Sequence, residues 1–301
     1  METTRSMTDA IDSSKPNNLC TTRWPILLVH GIASKRVERL KHWGRIPETL
    51  EAYGAEVYLS EQDAWGSFES NAWQLRTFVM QIINEQNVEK INVIAHSKGG
   101  IEARLLITLP DMADHIASIT TISTPHHGVR ALDWLYYLPV TLKRVVSSPI
   151  DIICILAGDD NPSFVGAFEG LSAKAMQGFN QTYPLPESVT IHSYTAVQRR
   201  LYNDPFLTIT SPIVQLVEGD NDGLVSEASA SFGEFEGVVN EEGRWGLSHR
   251  NIIDHSIPGM LPEEIKRYIG MSRFKRNRNR DNFNVLAWWV ELVAGLQQKG
   301  Y

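Results

Sequence analysis

Ser97 lies in Ile91-Asn92-Val93-Ile94-Ala95-His96-Ser97-Lys98-Gly99-Gly100, with the small residues Ala95 and Gly99 two positions to either side. An apolar, β-branched run precedes it and a stretch of helical spacing follows. A serine on a tight strand-to-helix turn is lifted clear of the backbone. Bulky residues at the two flanks would collide with the adjoining strand and helix. Ala95 stands where the G-x-S-x-G pattern has its first glycine, and it adds only a methyl group. Such a serine is set up to attack a carbonyl. Its hydroxyl is a poor nucleophile at neutral pH, so it needs a base, a carboxylate to orient that base, and donors for the oxyanion.

These partners are sought in the order Ser, acid, His. The acid is expected in Glu218-Gly219-Asp220-Asn221-Asp222-Gly223-Leu224-Val225, a loop following an expected strand at 213–217. Asp222 is the choice and Asp220 the alternative. Two histidines follow, His249 in Leu247-Ser248-His249-Arg250 and His255 in Ile253-Asp254-His255, and spacing leaves both open as the base. The oxyanion donors are expected from the backbone. Gly31 lets the chain turn closely after the first strand and exposes the Ile32 amide. The Lys98 amide, directly after the nucleophile, is the second donor. The Lys98 side chain runs against this scheme, because a cation in a first helical turn opposes the helix dipole at a cost of ~0.5 kcal/mol.

Elements that would position these groups can be read from periodicity. Short continuous apolar runs predict strands at 24–29, 55–59, 90–95, 116–122, 189–194 and 213–217, and helical spacing predicts helices at 37–53, 71–85, 99–109 and 283–296. Alternating strands and helices imply a parallel sheet with right-handed crossovers. Residues 1–23 read as a flexible tail and 24–301 as one domain. The stretch 129–187, broken by Pro139, Pro149, Pro162, Pro184 and Pro186, is too long for a structureless loop and must carry helices of its own. Trp288 and Trp289 read as part of a helix packed on the sheet rather than a membrane anchor.

The chain has 301 residues, 43% hydrophobic and 21% charged, which suits one globular domain with a sizeable core. Its net charge of −7 disfavours general binding to nucleic acid or to an anionic membrane. No apolar run approaches the ~18 residues needed to span a bilayer. The polar N-terminus lacks the apolar stretch of a signal peptide, so a cytoplasmic location is expected, with secretion without a recognisable signal peptide as the alternative. Cys20 and Cys154 make no disulfide framework. Arg273, Lys275, Arg276, Arg278 and Arg280 read as a solvated linker.

Together these segments resemble the bacterial lipase (triacylglycerol lipase-like) family of the α/β-hydrolase superfamily. The resemblance rests on Pro25 through Gly31, Tyr58 through Ser67, Ala95 through Gly100, Ser123-Thr124-Pro125-His126-His127-Gly128, and Asn221 through Val225. It implies an α/β-hydrolase fold with a mostly parallel central sheet and a helical lid insertion at about 129–187. It implies Ser97 as nucleophile, Asp222 as triad acid and Ile32 and Lys98 as oxyanion donors, and it favours His249 over His255. It also implies hydrolysis of esters with medium or long acyl chains, with Trp134, Leu135, Tyr137 and Leu138 meeting the substrate. His126-His127 would then form a structural turn beside the oxyanion site. No cofactor is required by such chemistry; calcium is conceivable, with Asp254 as a ligand, and no metal set is assigned. Partners are expected to be small-molecule or lipid esters. A thioesterase or acyltransferase on the same triad, or a non-catalytic ligand binder, is the alternative.

Overall fold

A computed structural model describes residues 18–32, 42–133, 137, 139, 141–142, 164–200, 203–204, 207–255, 281 and 283–301. In chain order these form β1 (Ile26–Val29), α1 (Ile46–Ala52), β2 (Val57–Leu59), α2 (Phe68–Gln86), β3 (Ile91–His96), α3 (Lys98–Leu106), α4 (Met112–His115) and β4 (Ile116–Ile122). Then follow α5 (Phe164–Gly170), α6 (Ala173–Thr182), β5 (Thr190–Ala196), α7 (Thr210–Glu218), α8 (Glu227–Ala230), β6 (Glu234–Val239) and α9 (Val285–Gln298). The strands pair in parallel in the order β2-β1-β3-β4-β5-β6.

The apolar runs form strands because both faces of the sheet are covered. Ile26, Leu28 and Ile94 pack to one face with α1 and α9, including Ile46, Leu50, Trp289 and Val293. Leu27, Val29, Val93 and Ala95 pack to the other with Leu75, Val79 and Ile82 of α2 and Ala103 and Leu106 of α3. Successive strand side chains point to opposite faces, so burial on both sides requires apolar residues at nearly every position. The two faces together place β1 and β3 at the centre of the core.

Strand order reverses between β1 and β3: the chain leaves β1 for β2 on one side, then crosses to β3 on the other. Parallel sheets leave a crevice at the carboxyl ends of the strands that flank such a reversal. His30-Gly31-Ile32 and His96-Ser97 occupy those two ends.

Three expectations need correction, and one strand went unread. Residues 213–217 lie in helix α7, not a strand. Pro212 is tolerated in a first helical turn, and Ile213, Leu216 and Val217 face solvent, so β-branched content misled where no sheet neighbour existed. Strand β6 went unread because an edge strand beginning Glu234-Phe235-Glu236-Gly237 carries residues depleted in strands. The expected tail ends too late: Cys20 is fully buried and its amide donates to the Tyr53 carbonyl (2.9 Å), while the Arg23 amide donates to Tyr301 (2.7 Å). Of the helix expected at 37–53, the described part begins at Ile46.

In the 129–187 stretch, α5 and α6 supply the expected helices. Leu171, Met176 and Phe179 pack against Ala72, Ile101 and Leu105, so this part joins the body of the domain. Trp134, Leu135 and Leu138, Cys154 and the basic run 273–280 lie outside the described residues; Tyr137 is exposed. Trp289 is fully buried with helix α9 on the sheet, and none of the helices among the described residues is long and apolar enough to cross a membrane.

Candidate active site

The turn at Ser97 is built by what its neighbours lack. Ser97 has φ 56° and ψ −131°, a strained conformation for a residue with a side chain. It persists because the surroundings leave no alternative. A Cβ on Gly99 would lie 2.4 Å from the His30 carbonyl oxygen and 2.7 Å from that of Val29. A Cβ on Gly31 would lie 2.8 Å from the Ser97 Cβ. The end of β1 is therefore pressed directly against the Ser97 turn. Thr124, two residues past β4, adds a tie, its hydroxyl donating to the Ser97 carbonyl (2.9 Å).

From this turn a continuous hydrogen-bonded path runs inward. The Ser97 hydroxyl donates to His249 Nε2 (2.9 Å), and His249 Nδ1–H donates to Asp222 Oδ2 (2.7 Å). Proton positions follow from this network, since Asp222 is acceptor-only when ionised. Asp222 is fully buried, and its Oδ1 accepts the Leu224 and Val225 amides at 3.0 and 2.9 Å. The His249 amide also donates to the Asp222 carbonyl (2.8 Å). Asp222 and His249 are thus fixed through backbone as well as side chain.

His249 is held on a further side by His96, whose Nε2–H donates to the His249 carbonyl (3.0 Å) while the two rings lie 4.5 Å apart between centroids. Behind His96 sit His42 (5.5 Å from His96) and, around His42, His30 at 5.7 Å and His255 at 6.2 Å. Burial dominates their acid–base behaviour. It holds His42 and His96 well below the ordinary imidazole value and lowers His30 and His255 to about 4. The turn after His249, residues Asn251–Ile253, is anchored by Trp289, whose indole N–H donates to the Ile252 carbonyl (2.8 Å). Ser248 donates to Asp204 (3.0 Å) on the other side.

Ser97, Asp222 and His249 are brought together; the alternatives are not. Asp220 is exposed, with a long contact (3.5 Å) to Gln215. His255 lies by His42 rather than at Ser97. Ile32 follows directly on the close approach at Gly31 and packs against Ala64, Trp65 and Ala167. His126 forms part of a turn: Arg104 donates to its Nδ1 (3.2 Å), its Nε2–H donates to Thr121 (2.9 Å), and its ring stacks on Phe232.

The calcium expectation for Asp254 fits poorly. Arg45 donates to one Asp254 oxygen from its amide and Nε (3.0 and 2.7 Å) and to the other from Nη2 (2.6 Å), so the carboxylate already has its cation. Among the described residues one group has metal-ligand spacing, His192, Glu234 and Glu236 at the start of β5 and β6. There the Lys299 ammonium stands 2.8 Å from Glu236 and supplies the positive charge.

Lys98 is not an exposed cation at a helix end. Its side chain is buried and ion-paired with Glu102 one turn on, in the same helix. Sequence reading missed Glu102, Gln62 and His96 as parts of the site. The i, i+4 spacing of Lys98 and Glu102 was the available signal; Gln62 and the His96–His249 contact had none, being joined only by folding.

A family profile described as palmitoyl protein thioesterase matches residues 25–157. "Triacylglycerol lipase 2" of Saccharomyces cerevisiae is 26% identical over 269 residues, 87% of this chain and 75% of that protein. A "Triacylglycerol lipase" of Pseudarthrobacter phenanthrenivorans is 33% identical over 134 residues, 43% of this chain and 41% of its own length. The likeness is therefore not confined to bacterial proteins. Among solved structures, a metagenomic carboxyl esterase has a TM-score of 0.63 at 19% identity, covering 84% of this chain and 77% of that one, which is a likeness of fold. The chain has the fold of the α/β-hydrolases, and in sequence it is similar to proteins named triacylglycerol lipase.

Proposed function

We propose that the chain is a carboxylic ester hydrolase acting on esters of medium or long acyl chains through Ser97, His249 and Asp222. The observation that carries this reading is the unbroken hydrogen-bonded path from Asp222 through His249 to Ser97. His249 takes the Ser97 proton as the hydroxyl attacks the ester carbonyl. The tetrahedral oxyanion is received by the Ile32 and Lys98 amides. Asp222 keeps Nδ1 of His249 protonated and stabilises the imidazolium that forms. His249 then protonates the leaving alcohol, and water, activated by the same base, releases the acid from the acyl-enzyme. The 129–187 stretch would supply acyl-chain contacts, with Tyr137 the described member of that set.

A series of soluble p-nitrophenyl esters of increasing chain length tests this, with Ser97→Ala as control. Loss of about 10⁴-fold or more in kcat is expected for the variant, together with loss of labelling by a fluorophosphonate probe. Equal rates for wild type and variant would overturn the mechanism, and a preference confined to acetyl esters would overturn the chain-length assignment.

The match to a thioesterase profile favours a second reading, in which the same triad cleaves acyl thioesters. Comparing kcat/KM for an oxoester and a thioester of one acyl chain separates the two, since the acyl-enzyme is common and only the leaving group differs.

A further inference from the structure

Lys98 and Glu102 form a buried ion pair, each about 1% exposed, directly behind the nucleophile turn. Glu102 gathers three partners. Its Oε1 accepts from Lys98 and from Asn71 Nδ2 (2.6 Å), and its Oε2 accepts from Gln62 Nε2 (3.1 Å). The same Gln62 nitrogen donates its other hydrogen to the His30 carbonyl (2.9 Å). Asn71 donates in turn to the Asp63 carbonyl (2.6 Å).

Stability alone gives a weak reason for this arrangement. Removing two charges from water is costly, and a well-packed apolar pair of similar volume often does as well or better. What the polar version adds is orientation. One end of the network is the Lys98 side chain, whose own amide is an expected oxyanion donor. The other end is the His30 carbonyl, one peptide before the Gly31–Ile32 peptide that carries the second donor. Gly31 must lack a Cβ, because Ser97 lies too close, and so it brings backbone freedom where a donor needs a fixed direction. The Gln62 bond removes part of that freedom.

We infer that Glu102 is a positioning residue for the oxyanion hole, one buried carboxylate that sets the Lys98 segment and the His30–Ile32 segment relative to each other, the second through Gln62. The inference rests on the ester-hydrolase reading and deepens it. Oxyanion donors act through their preset direction, and a misplacement of ~1 Å can cost ~10²-fold in rate.

Two variants test it on a soluble ester. Gln62→Met keeps the bulk, leaves Glu102 paired with Lys98 and Asn71, and cuts the link to His30. It is expected to lower kcat by about tenfold with KM within about twofold. The double variant Lys98→Met/Glu102→Leu removes both charges together. It is expected to lower the thermal unfolding midpoint, because one N–H each of Asn71 and Gln62 loses its acceptor, while kcat of the folded enzyme falls by ~10²-fold. A boronic acid that mimics the tetrahedral adduct should bind more weakly to both variants by about the factor lost in kcat/KM. A purely structural role would instead make activity follow the folded fraction and leave boronate affinity of the folded enzyme unchanged. An active wild type with both variants within twofold of its kcat overturns this inference alone. A wild type without ester hydrolysis overturns the parent reading and this inference with it.

Discussion

Sequence spacing leaves two histidines open as the base, and geometry separates them by their partners. His249 bonds both Ser97 and Asp222, whereas the His255 ring packs by His42. The expected outcome is a loss of about 10⁴-fold in kcat/KM for His249→Ala, with His255→Ala within about tenfold of wild type. Kinetics on a soluble ester decide it, and an inactive His255→Ala beside an active His249→Ala would sink the assignment. Ser97, Asp222 and His249, the proposed triad, could be singled out because each lies in a short local pattern: a serine between small residues, an acid in an Asp/Gly loop, a histidine further along. The side chains that hold those residues were not. His96 meets His249 across 153 positions and Gln62 meets Glu102 across 40, and such pairs have no local spacing to read.

Two helical glycines show how element and surroundings decide what one residue is worth. Glycine inside a helix usually costs ~1 kcal/mol relative to alanine. Gly295 in α9 follows that rule, because a Cβ there would meet nothing within 4 Å. Gly295→Ala is expected to stabilise by ~0.5–1 kcal/mol. Gly99 in α3 reverses it, since its Cβ would strike the backbone carbonyl oxygens of Val29 and His30 at the end of β1. Gly99→Ala is expected to destabilise by ~1–3 kcal/mol and to lower kcat by forcing β1 from the nucleophile turn. Urea unfolding of both variants checks the pair of signs; two changes of the same sign would refute the argument. The same contrast explains which elements were readable. β1, β3 and β4 are buried on both faces, so their sequences are dominated by apolar and β-branched residues, with only Asn92, His96, Ser118, Thr120 and Thr121 polar among them. Helix α7 exposes Ile213, Leu216 and Val217 and so imitates a buried strand, whereas edge strand β6 carries Glu234 and Glu236 on its exposed positions, with Gly237 beside them, and so hides one.

At the scale of the whole molecule, the central sheet, α1 and the turn after His249 bring together His30, His42 and His96, which are buried, and His255, which is half-buried. Their folded values lie below the ordinary 6.5, at about 4 for His30 and His255 and lower still for His42 and His96, chiefly through burial. The unfolded chain therefore binds more protons than the native one between pH 6.5 and about 4. Stability is then complete above pH 6.5 and is lost as pH falls, at up to ~1.4 kcal/mol per pH unit for each such histidine. Glu102 works the other way, because burial raises its carboxyl and the native state takes up that proton first; it is one group against four. Other charges bear on the cluster too: Lys98 and Arg250 lower His30 and His255, while Asp63, Asp204 and Asp254 raise them. The thermal unfolding midpoint should accordingly begin to fall near pH 6.5, well above the range where carboxylates titrate. His42→Phe, which replaces a buried imidazole by an apolar ring, should flatten that fall even if it lowers the midpoint at pH 7.5. A midpoint that stays level from pH 7 to 5, or a slope unchanged in His42→Phe, would show that these histidines do not couple proton uptake to unfolding.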